Sequence, residues 1–125
     1  MKIIFFGTGK FGVPTLDALL KSDNEIALVV TGEDKKSGRG WSHRPSIIKE
    51  HLLAEKSKVK IISSNISTDA ETIELLKGLE PDIFVVVDYG VILSQEILDI
   101  PHKICINLHP SLLPKYRGAS PITQV

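Results

Sequence analysis

Short apolar runs that do not alternate with polar residues constrain the fold of this chain more than any other feature. In Lys2–Phe6 four consecutive large apolar side chains follow the lysine, and in Asp82–Val87 five follow the aspartate. A strand that is apolar on both sides has to be covered on both sides, as in a parallel sheet with helices on each face. The predicted strands are Lys2–Phe6, Glu25–Thr31, Val59–Ile62, Asp82–Val87 and Ile104–Leu108.

Helical patterns separate these strands. Pro14 stands where a first helical turn tolerates proline, and Leu16, Leu19 and Leu20 follow it at helical spacing. The other predicted helices are Ile47–Ala54, a helix from a Thr68/Glu71 capping box to about Lys77 with Gly78 as its stop, and Ser94–Leu98. Residues 32–45 are predicted to form a polar loop. The alternation predicts an α/β fold with a Rossmann-like open, mostly parallel sheet and flanking helices.

Length and composition exclude several classes of protein. The chain has 125 residues, a length sufficient for one domain. Its composition, with 42% hydrophobic residues and 15 basic side chains balanced by 15 acidic ones, is unlike that of a disordered chain. A single cysteine, Cys105, excludes a disulfide scaffold. The apolar runs are far shorter than the roughly 18 residues of a membrane span. Because no leader peptide opens the chain, we expect a protein that is neither secreted nor inserted in a membrane.

The last residues suggest a chain that ends inside a helix. Ser120–Val125 has the pattern of an N-cap, a proline at the first helical position and one helical turn. One isolated turn is not stable, because helix nucleation is costly. We therefore interpret residues 1–125 as a single-domain, N-terminal part of a larger catalytic domain whose C-terminal remainder is absent; the alternative is a frayed natural C-terminus.

A glycine-rich turn between the first strand and the first helix offers one functional hypothesis. Gly7, Gly9 and Gly12 match G-x-G-x-x-G, and Glu33 and Asp34 follow roughly 20 residues later, as in dinucleotide-binding proteins. This hypothesis is an NAD-binding or non-catalytic Rossmann module. The alternative is a tight turn whose backbone N–H groups form a general anion site.

A second hypothesis comes from the end of the last predicted strand. Asn107 and His109 are two residues apart and so leave the same face of the strand, at the edge where parallel sheets bind ligands. An asparagine amide can stabilise an oxyanion, and a histidine can move protons near neutral pH. Because no serine or cysteine is placed as a nucleophile, the pair suits attack of an external amine on an acyl carbon. A purely structural Asn and His is the alternative.

The run Asn107–Pro114, with Arg117-Gly118 after it, resembles the signature of the folate-dependent formyltransferases. Matches to that family extend over almost the whole chain in the same order. They are Gly7-Thr8, Phe11, Val13-Pro14, Gly38–Gly40, Pro45-Ser46, Lys49, Asp88–Leu93, Ile97–Pro101 and Gly118–Ile122. Three positions depart from the family pattern: Asp88 replaces a small residue, and Pro110 and Gly12 replace alanine.

The resemblance implies a function and a set of site residues. It implies transfer of a formyl group from 10-formyltetrahydrofolate to an amine, and within the family the chain is similar to the branch that acts on initiator methionyl-tRNA. Asn107 would polarise the formyl oxygen and His109 would assist proton transfer. The implied folate-binding residues are Gly90, Val91, Ile92, Leu93, Ser111, Leu112, Leu113 and Pro114. No metal is implied.

Further expectations follow from the same resemblance. The family's catalytic aspartate lies downstream and has no counterpart here, so we expect weak or absent catalysis by the isolated chain. A cytoplasmic enzyme that is monomeric at full length is expected. A sugar-amine or glycinamide-ribotide formyltransferase is the alternative within the same chemistry.

A basic segment favours the tRNA acceptor. Residues 35–49 carry five positive charges and no acid, so the rest of this neutral chain is anionic by the same amount. Such a loop suits phosphate contacts on RNA, and Trp41 could stack on a base. An ordinary solvated loop is the alternative. The predicted tRNA-binding residues are Lys35, Lys36, Arg39 and Arg44, and the resemblance makes Arg39 the key arginine.

Overall fold

The computed structural model describes residues 1–37 and 42–108, with the backbone alone described at 35–37, 42 and 43. The strands are β1 (Lys2–Gly7), β2 (Glu25–Thr31), β3 (Lys35–Ser37), β4 (Ser42–Arg44), β5 (Ile61–Ser63), β6 (Ile83–Val87) and β7 (Ile104–Leu108). The helices are α1 (Val13–Lys21), α2 (Ile47–Ala54), α3 (Ala70–Leu79) and α4 (Gln95–Leu98), with 3-10 turns at Lys10–Gly12 and Ile66–Thr68.

Five strands form one parallel sheet in the order β5-β2-β1-β6-β7. The chain runs outward from β1 through β2 to β5 and then returns to β6 on the other side of β1. Strand order therefore reverses between β1 and β6, and ligands of open α/β sheets bind outside the carboxyl ends of the strands at such a point. The predicted fold class is confirmed.

The continuous apolar runs are explained by two hydrophobic clusters, one on each face of the sheet. Ile4 and Phe6 of β1 enter one cluster, with Leu76 of α3, whereas Ile3 and Phe5 enter the other. The second cluster contains Leu16 of α1 and Ile48 and Leu52 of α2. Because successive side chains of a strand point to opposite faces, a central strand covered on both faces needs an apolar residue at every position.

The start of α3 differs from the prediction. Asp69, and not Thr68, is the N-cap: its carboxylate accepts a hydrogen bond from the Thr72 backbone N–H at 3.0 Å and from the Thr72 hydroxyl at 2.6 Å. Thr68 belongs to the preceding 3-10 turn. The predicted N-cap was one residue too early, because an aspartate, which caps equally well, stands directly after the threonine.

The end of α3 also differs. Gly78 lies inside the helix, which ends at Leu79 and is capped by Glu80 in a left-handed conformation with φ 50°. The third sheet strand is Ile61–Ser63 and not Val59–Ile62. Residues 32–45 contain an antiparallel pair, β3 and β4, where only a loop was expected. Strands of three residues are too short and too polar for their periodicity to be visible in the sequence.

Two remaining points concern membranes and the C-terminal segment. Within the described ranges, no helix is long and apolar enough to cross a membrane. The helical turn expected at Ser120–Val125 lies outside the described residues.

Candidate functional site

A cleft of about 400 Å³ opens at the carboxyl ends of β1, β2, β5 and β6. It lies at the reversal of strand order, where the fold predicts a ligand site. The residues that line it are Thr8, Gly9, Gly32, Glu33, Asp34, Ser64, Asn65, Asp88, Tyr89, Gly90 and Val91. The cleft has three carboxylates, of which Asp34 forms an ion pair with Lys49 at 3.4 Å. Its walls are therefore acidic.

The glycine turn after β1 is hydrogen-bonded to the turn after β6, and we call it closed for that reason. The backbone N–H groups of Thr8 and Gly9 donate to the carbonyl oxygen of Asp88 at 2.9 and 3.2 Å. Asp88 has a left-handed φ of 57°, and its carboxylate lies so close to Gly9 that a Cβ there would collide with it. A side chain at position 9 would thus force the Asp88 carboxylate to move. Two N–H groups of the turn are already used, and a carboxylate stands where a pyrophosphate would have to approach.

Tyr89 links three of the strand ends around the cleft. Its hydroxyl donates to the Ser64 carbonyl oxygen at 2.7 Å and accepts from the Ile66 backbone N–H at 3.2 Å. Its own carbonyl oxygen accepts a hydrogen bond from the Thr8 hydroxyl at 2.9 Å. The Thr8 hydroxyl in turn accepts from the Gly32 N–H at 3.1 Å. Burial raises the pKa of the Tyr89 hydroxyl, which keeps it protonated as a donor.

Tyr89 was not predicted from the sequence as a contributor to the site. A tyrosine between an acidic residue and a glycine carries no distinctive local pattern. The residues that its hydroxyl contacts are more than 20 positions away along the chain. The one available signal was that a tyrosine directly after an apolar strand is often buried with its hydroxyl hydrogen-bonded.

The predicted folate-binding residues Gly90–Leu93 divide into three groups. Gly90 and Val91 line the cleft, and Gly90 has a φ of 83°. Ile92 is 90% exposed, and Leu93 packs against the core. Within residues 1–37 and 42–108, the backbone N–H and C=O groups of these four residues form no hydrogen bonds. Among the described residues, the loop therefore offers backbone donors and acceptors without partners beside the cleft.

Asn107 is half-buried near the carboxyl end of β7, where it pairs with Val86 of the neighbouring β6. Among the residues described, it does not belong to the lining of the cleft. His109, Ser111, Leu112, Leu113 and Pro114 lie outside the described residues. The catalytic pairing of Asn107 with His109 stays a prediction.

The basic segment contains the β3–β4 pair. Its register sets Lys35 opposite Arg44 and Lys36 opposite His43. Arg44 is exposed, whereas Arg39 and Trp41 lie outside the described residues. Two of the predicted tRNA-binding cations are thus cross-strand neighbours, and Lys49 at the end of the segment is paired with Asp34.

Two further classes of chemistry have little support in the described part of the chain. There, no three His, Cys, Asp or Glu side chains come together as a metal site requires. Cys105 is buried in the first cluster, and burial raises the pKa of its thiol to about 11. A thiol with that pKa is a poor nucleophile at neutral pH.

Fold and cleft define an α/β protein with a ligand site at the reversal of strand order. The chain belongs to the formyl transferase family, whose sequence profile matches residues 1–125. It is 52% identical over 122 residues to a methionyl-tRNA formyltransferase of Clostridium tetani, covering 98% of this chain and 39% of that protein. It is 50% identical over 123 residues to one of Trichormus variabilis, covering 98% of this chain and 36% of that protein. The chain thus spans about two fifths of these relatives.

Solved structures agree on the fold. A glycinamide ribonucleotide transformylase from Geobacillus kaustophilus superposes with a TM-score of 0.60 at 23% identity, over 94% of this chain and 62% of that one. A phosphoribosylglycinamide formyltransferase from Bacillus halodurans gives a TM-score of 0.60 at 20% identity, over 93% of this chain and 59% of that one. The resemblance to formyltransferases predicted from the sequence is confirmed.

Proposed function

We propose that this chain is the N-terminal part of the catalytic domain of a methionyl-tRNA formyltransferase. The full enzyme would transfer a formyl group from 10-formyltetrahydrofolate to the amino group of initiator methionyl-tRNA. The observation that carries the proposal is the 52% identity over 98% of this chain to a relative of that name. Because that substrate serves translation initiation, we propose a cytoplasmic enzyme, monomeric at full length.

The proposed chemistry assigns one role to each residue of the catalytic pair. The methionyl amine attacks the formyl carbon, a C–N bond forms, and the bond from that carbon to the donor nitrogen breaks. Asn107 would donate an amide hydrogen bond to the formyl oxygen, on which negative charge develops. His109 would accept the proton that the amine loses and return it to the leaving nitrogen. The half-buried position of Asn107 at the carboxyl end of β7 supports its role.

The loop Gly90–Leu93 fits the formyl donor. The pterin ring of a folate carries hydrogen-bond donors and acceptors along its edge. The loop has backbone groups of both kinds that find no partner in residues 1–37 and 42–108. Val91 adds an apolar side chain at the cleft, and Ile92 exposes another. We propose that Ser111–Pro114 complete this donor site.

The cleft disfavours the rival functions. Binding of NAD needs the β1 turn to receive a pyrophosphate, but two of its N–H groups are bonded to Asp88. The three carboxylates Glu33, Asp34 and Asp88 would repel a phosphate, whereas they tolerate a neutral or cationic amine. The β3–β4 segment, on the other hand, suits the phosphates of tRNA.

The direct test is formyl transfer by the full-length protein with initiator methionyl-tRNA and 10-formyltetrahydrofolate. We expect Arg39→Ala to lower kcat/KM for the tRNA by about tenfold or more, the loss of one charge-assisted contact. Lys21→Ala is the matched control, because Lys21 ends α1 at the opposite edge of the sheet and should leave the rate unchanged. An unchanged rate in Arg39→Ala would contradict the tRNA assignment.

A second test asks whether residues 1–125 alone can transfer a formyl group. The isolated 125 residues should transfer little or no formyl group, because the proposed downstream aspartate is missing. Robust transfer by this chain alone would contradict the proposal that residues 1–125 are an incomplete catalytic domain.

A further inference from the structure

We propose that the Tyr89 hydroxyl is the positioning group of the formyl-donor loop, holding Gly90–Leu93 beside the cleft by anchoring the turn after β6 to the loop after β5. The proposal rests on the proposed function, because it assigns the loop to the formyl donor. Tyr89 itself is not a catalytic residue: it is 4% exposed and both of its hydroxyl contacts are to backbone atoms.

The turn after β6 needs an anchor because of its backbone. Asp88 and Gly90, the two neighbours of Tyr89, both have left-handed φ angles, of 57° and 83°. Aspartate adopts this conformation more readily than most side chains, but two left-handed residues that flank one position still define a tight turn whose geometry depends on its contacts. Tyr89 is the residue between the two, and its side chain is held at both ends.

The side chain of Tyr89 makes two kinds of contact, one through its hydroxyl and one through its ring. The hydroxyl bonds to Ser64 and Ile66 and thereby attaches the turn to the end of β5. The ring packs edge-on against Phe6 of β1 with the centroids 5.5 Å apart. The Tyr89 carbonyl oxygen is bonded separately by the Thr8 hydroxyl. The turn is thus attached to β5 through the Tyr89 hydroxyl, and to β1 through Tyr89 together with the Asp88 carbonyl oxygen, which accepts from the Thr8 and Gly9 N–H groups.

The loop that follows has no comparable attachment at its start. Its backbone forms no hydrogen bonds with other residues of the described ranges, and a Cβ added at Gly90 would have no atom of those ranges within 4 Å. Val91 and Leu93 pack against the core and so hold the later part of the loop. The position of Gly90, where the loop meets the cleft, therefore depends on the turn before it, which Asp88 holds on the β1 side and the Tyr89 hydroxyl holds on the β5 side.

The test is Tyr89→Phe in the full-length protein, which keeps the ring and removes both hydroxyl contacts. We expect KM for 10-formyltetrahydrofolate to rise about fivefold to tenfold, the equivalent of one lost net hydrogen bond. KM for methionyl-tRNA and kcat should stay within about twofold, because the variant moves only the donor loop. Thr8→Val removes the second attachment and should raise the same KM, less than additively in the double variant.

The matched control is Asp82→Ala. Asp82 accepts a hydrogen bond from the Lys2 backbone N–H at 2.9 Å at the opposite edge of the sheet, so its loss destabilises the protein without touching the turn. An equal rise of the donor KM in Asp82→Ala, or a fall in kcat with an unchanged KM in Tyr89→Phe, would overturn the positioning role.

A second readout does not depend on activity. The NMR order parameter of the Gly90 amide should fall in Tyr89→Phe and stay unchanged in Asp82→Ala, because a loosened loop start moves on the nanosecond timescale. An unchanged order parameter in Tyr89→Phe would overturn the proposal. If the wild-type protein transfers no formyl group, the proposed function fails, and the NMR result still decides whether Tyr89 positions the loop.

Discussion

The turns after β1 and after β6 occupy equivalent places at the ends of neighbouring parallel strands, yet their roles differ. The β1 turn carries the glycine motif, and the N–H groups of Thr8 and Gly9 are bonded to Asp88. The β6 turn has one glycine and continues into a loop whose backbone groups are free within the described ranges. The β1 turn is closed, because hydrogen bonds occupy two of its N–H groups, and it stabilises the fold. The β6 turn is open in the sense that it leads into a loop beside the cleft.

The difference shows that a glycine motif does not by itself mark a phosphate site. At Gly9 the Asp88 carboxylate lies against the backbone, so this glycine has a contact within the fold that accounts for it. Substitutions on the open side should therefore alter catalysis, whereas substitutions on the closed side should chiefly alter stability. Thr8 should affect both, because its hydroxyl also donates to the Tyr89 carbonyl oxygen. Four predictions test this division, in order of decreasing effect.

Asn107→Asp should have the largest effect on activity. The substitution keeps the shape of the side chain but removes its N–H donors, so kcat for formyl transfer by the full-length protein should fall by about 10²–10³-fold. Steady-state kinetics measures it. Asn24→Ala is the control, since Asn24 bonds to Met1 and Ser22 before β2. Activity within a few-fold of wild type would remove Asn107 from the catalytic pair.

Thr8→Val should lower the free energy of unfolding by about 2 kcal/mol, because it leaves the Gly32 N–H and the Tyr89 carbonyl oxygen without their partner. Urea denaturation measures the change. Thr68→Val is the matched control: its exposed hydroxyl makes a single bond of 3.3 Å within the described ranges, and its loss should change stability far less. Equal effects in the two variants would mean that Thr8 does not hold the closed turn.

Gly9→Ala should destabilise the protein by about 1 kcal/mol, because the new methyl group forces the Asp88 carboxylate to move. The loss should disappear when Asp88→Ala is already present. Gly78→Ala is the control: a Cβ at this helical position has nothing of the described ranges within 4 Å, so it should stabilise by about 0.5–1 kcal/mol. An additive double variant would contradict the contact between Gly9 and Asp88.

The smallest effect concerns pH. Hydrogen bonds from Thr72 and Ser64 hold the pKa of Asp69 below its ordinary value of 3.8. A carboxyl with a lowered folded pKa stabilises the protein above the unfolded pKa and loses that contribution as pH falls through the folded pKa. Asp69→Asn, which keeps a capping side chain, should therefore make the loss of stability below about pH 4 shallower.

The fall of the free energy of unfolding with decreasing pH should not vanish in Asp69→Asn. The pKa of Asp82 is also lowered, chiefly by the hydrogen bond from the Lys2 N–H, and its contribution remains. Urea unfolding at a series of pH values measures both slopes. An identical pH profile in wild type and Asp69→Asn would show that the Asp69 charge has no part in holding the loop after β5.

Much of the fold could be predicted because the signals are local. The unbroken apolar runs of β1 and β6 indicated strands covered on both faces, and the helices Ile47–Ala54 and Gln95–Leu98 lie where helices were expected. The errors fell where two local signals competed, as at Thr68 and Asp69, or where elements were three residues long, as in β3 and β4. Local patterns cannot rank competing caps, because the tertiary contacts of the cap decide between them.

The candidate site was only partly predictable. The loop Gly90–Leu93 and Asn107 could be named from the family resemblance, and the fold puts both at the carboxyl edge of the sheet. The sequence also suggested that the glycine turn could bind an anion. The structure makes that suggestion less favourable, because the Thr8 and Gly9 N–H groups are bonded to Asp88, about 80 positions away along the chain.

The sequence by itself determined the α/β class, the family and the residues worth testing. These follow from periodicity and from motifs, which are properties of neighbours along the chain. Only the tertiary structure decided which turn is closed, why position 9 is glycine, and that Tyr89 ties the strand ends together. Those facts depend on which strands lie side by side, and a parallel sheet brings together segments that the sequence separates by long crossovers.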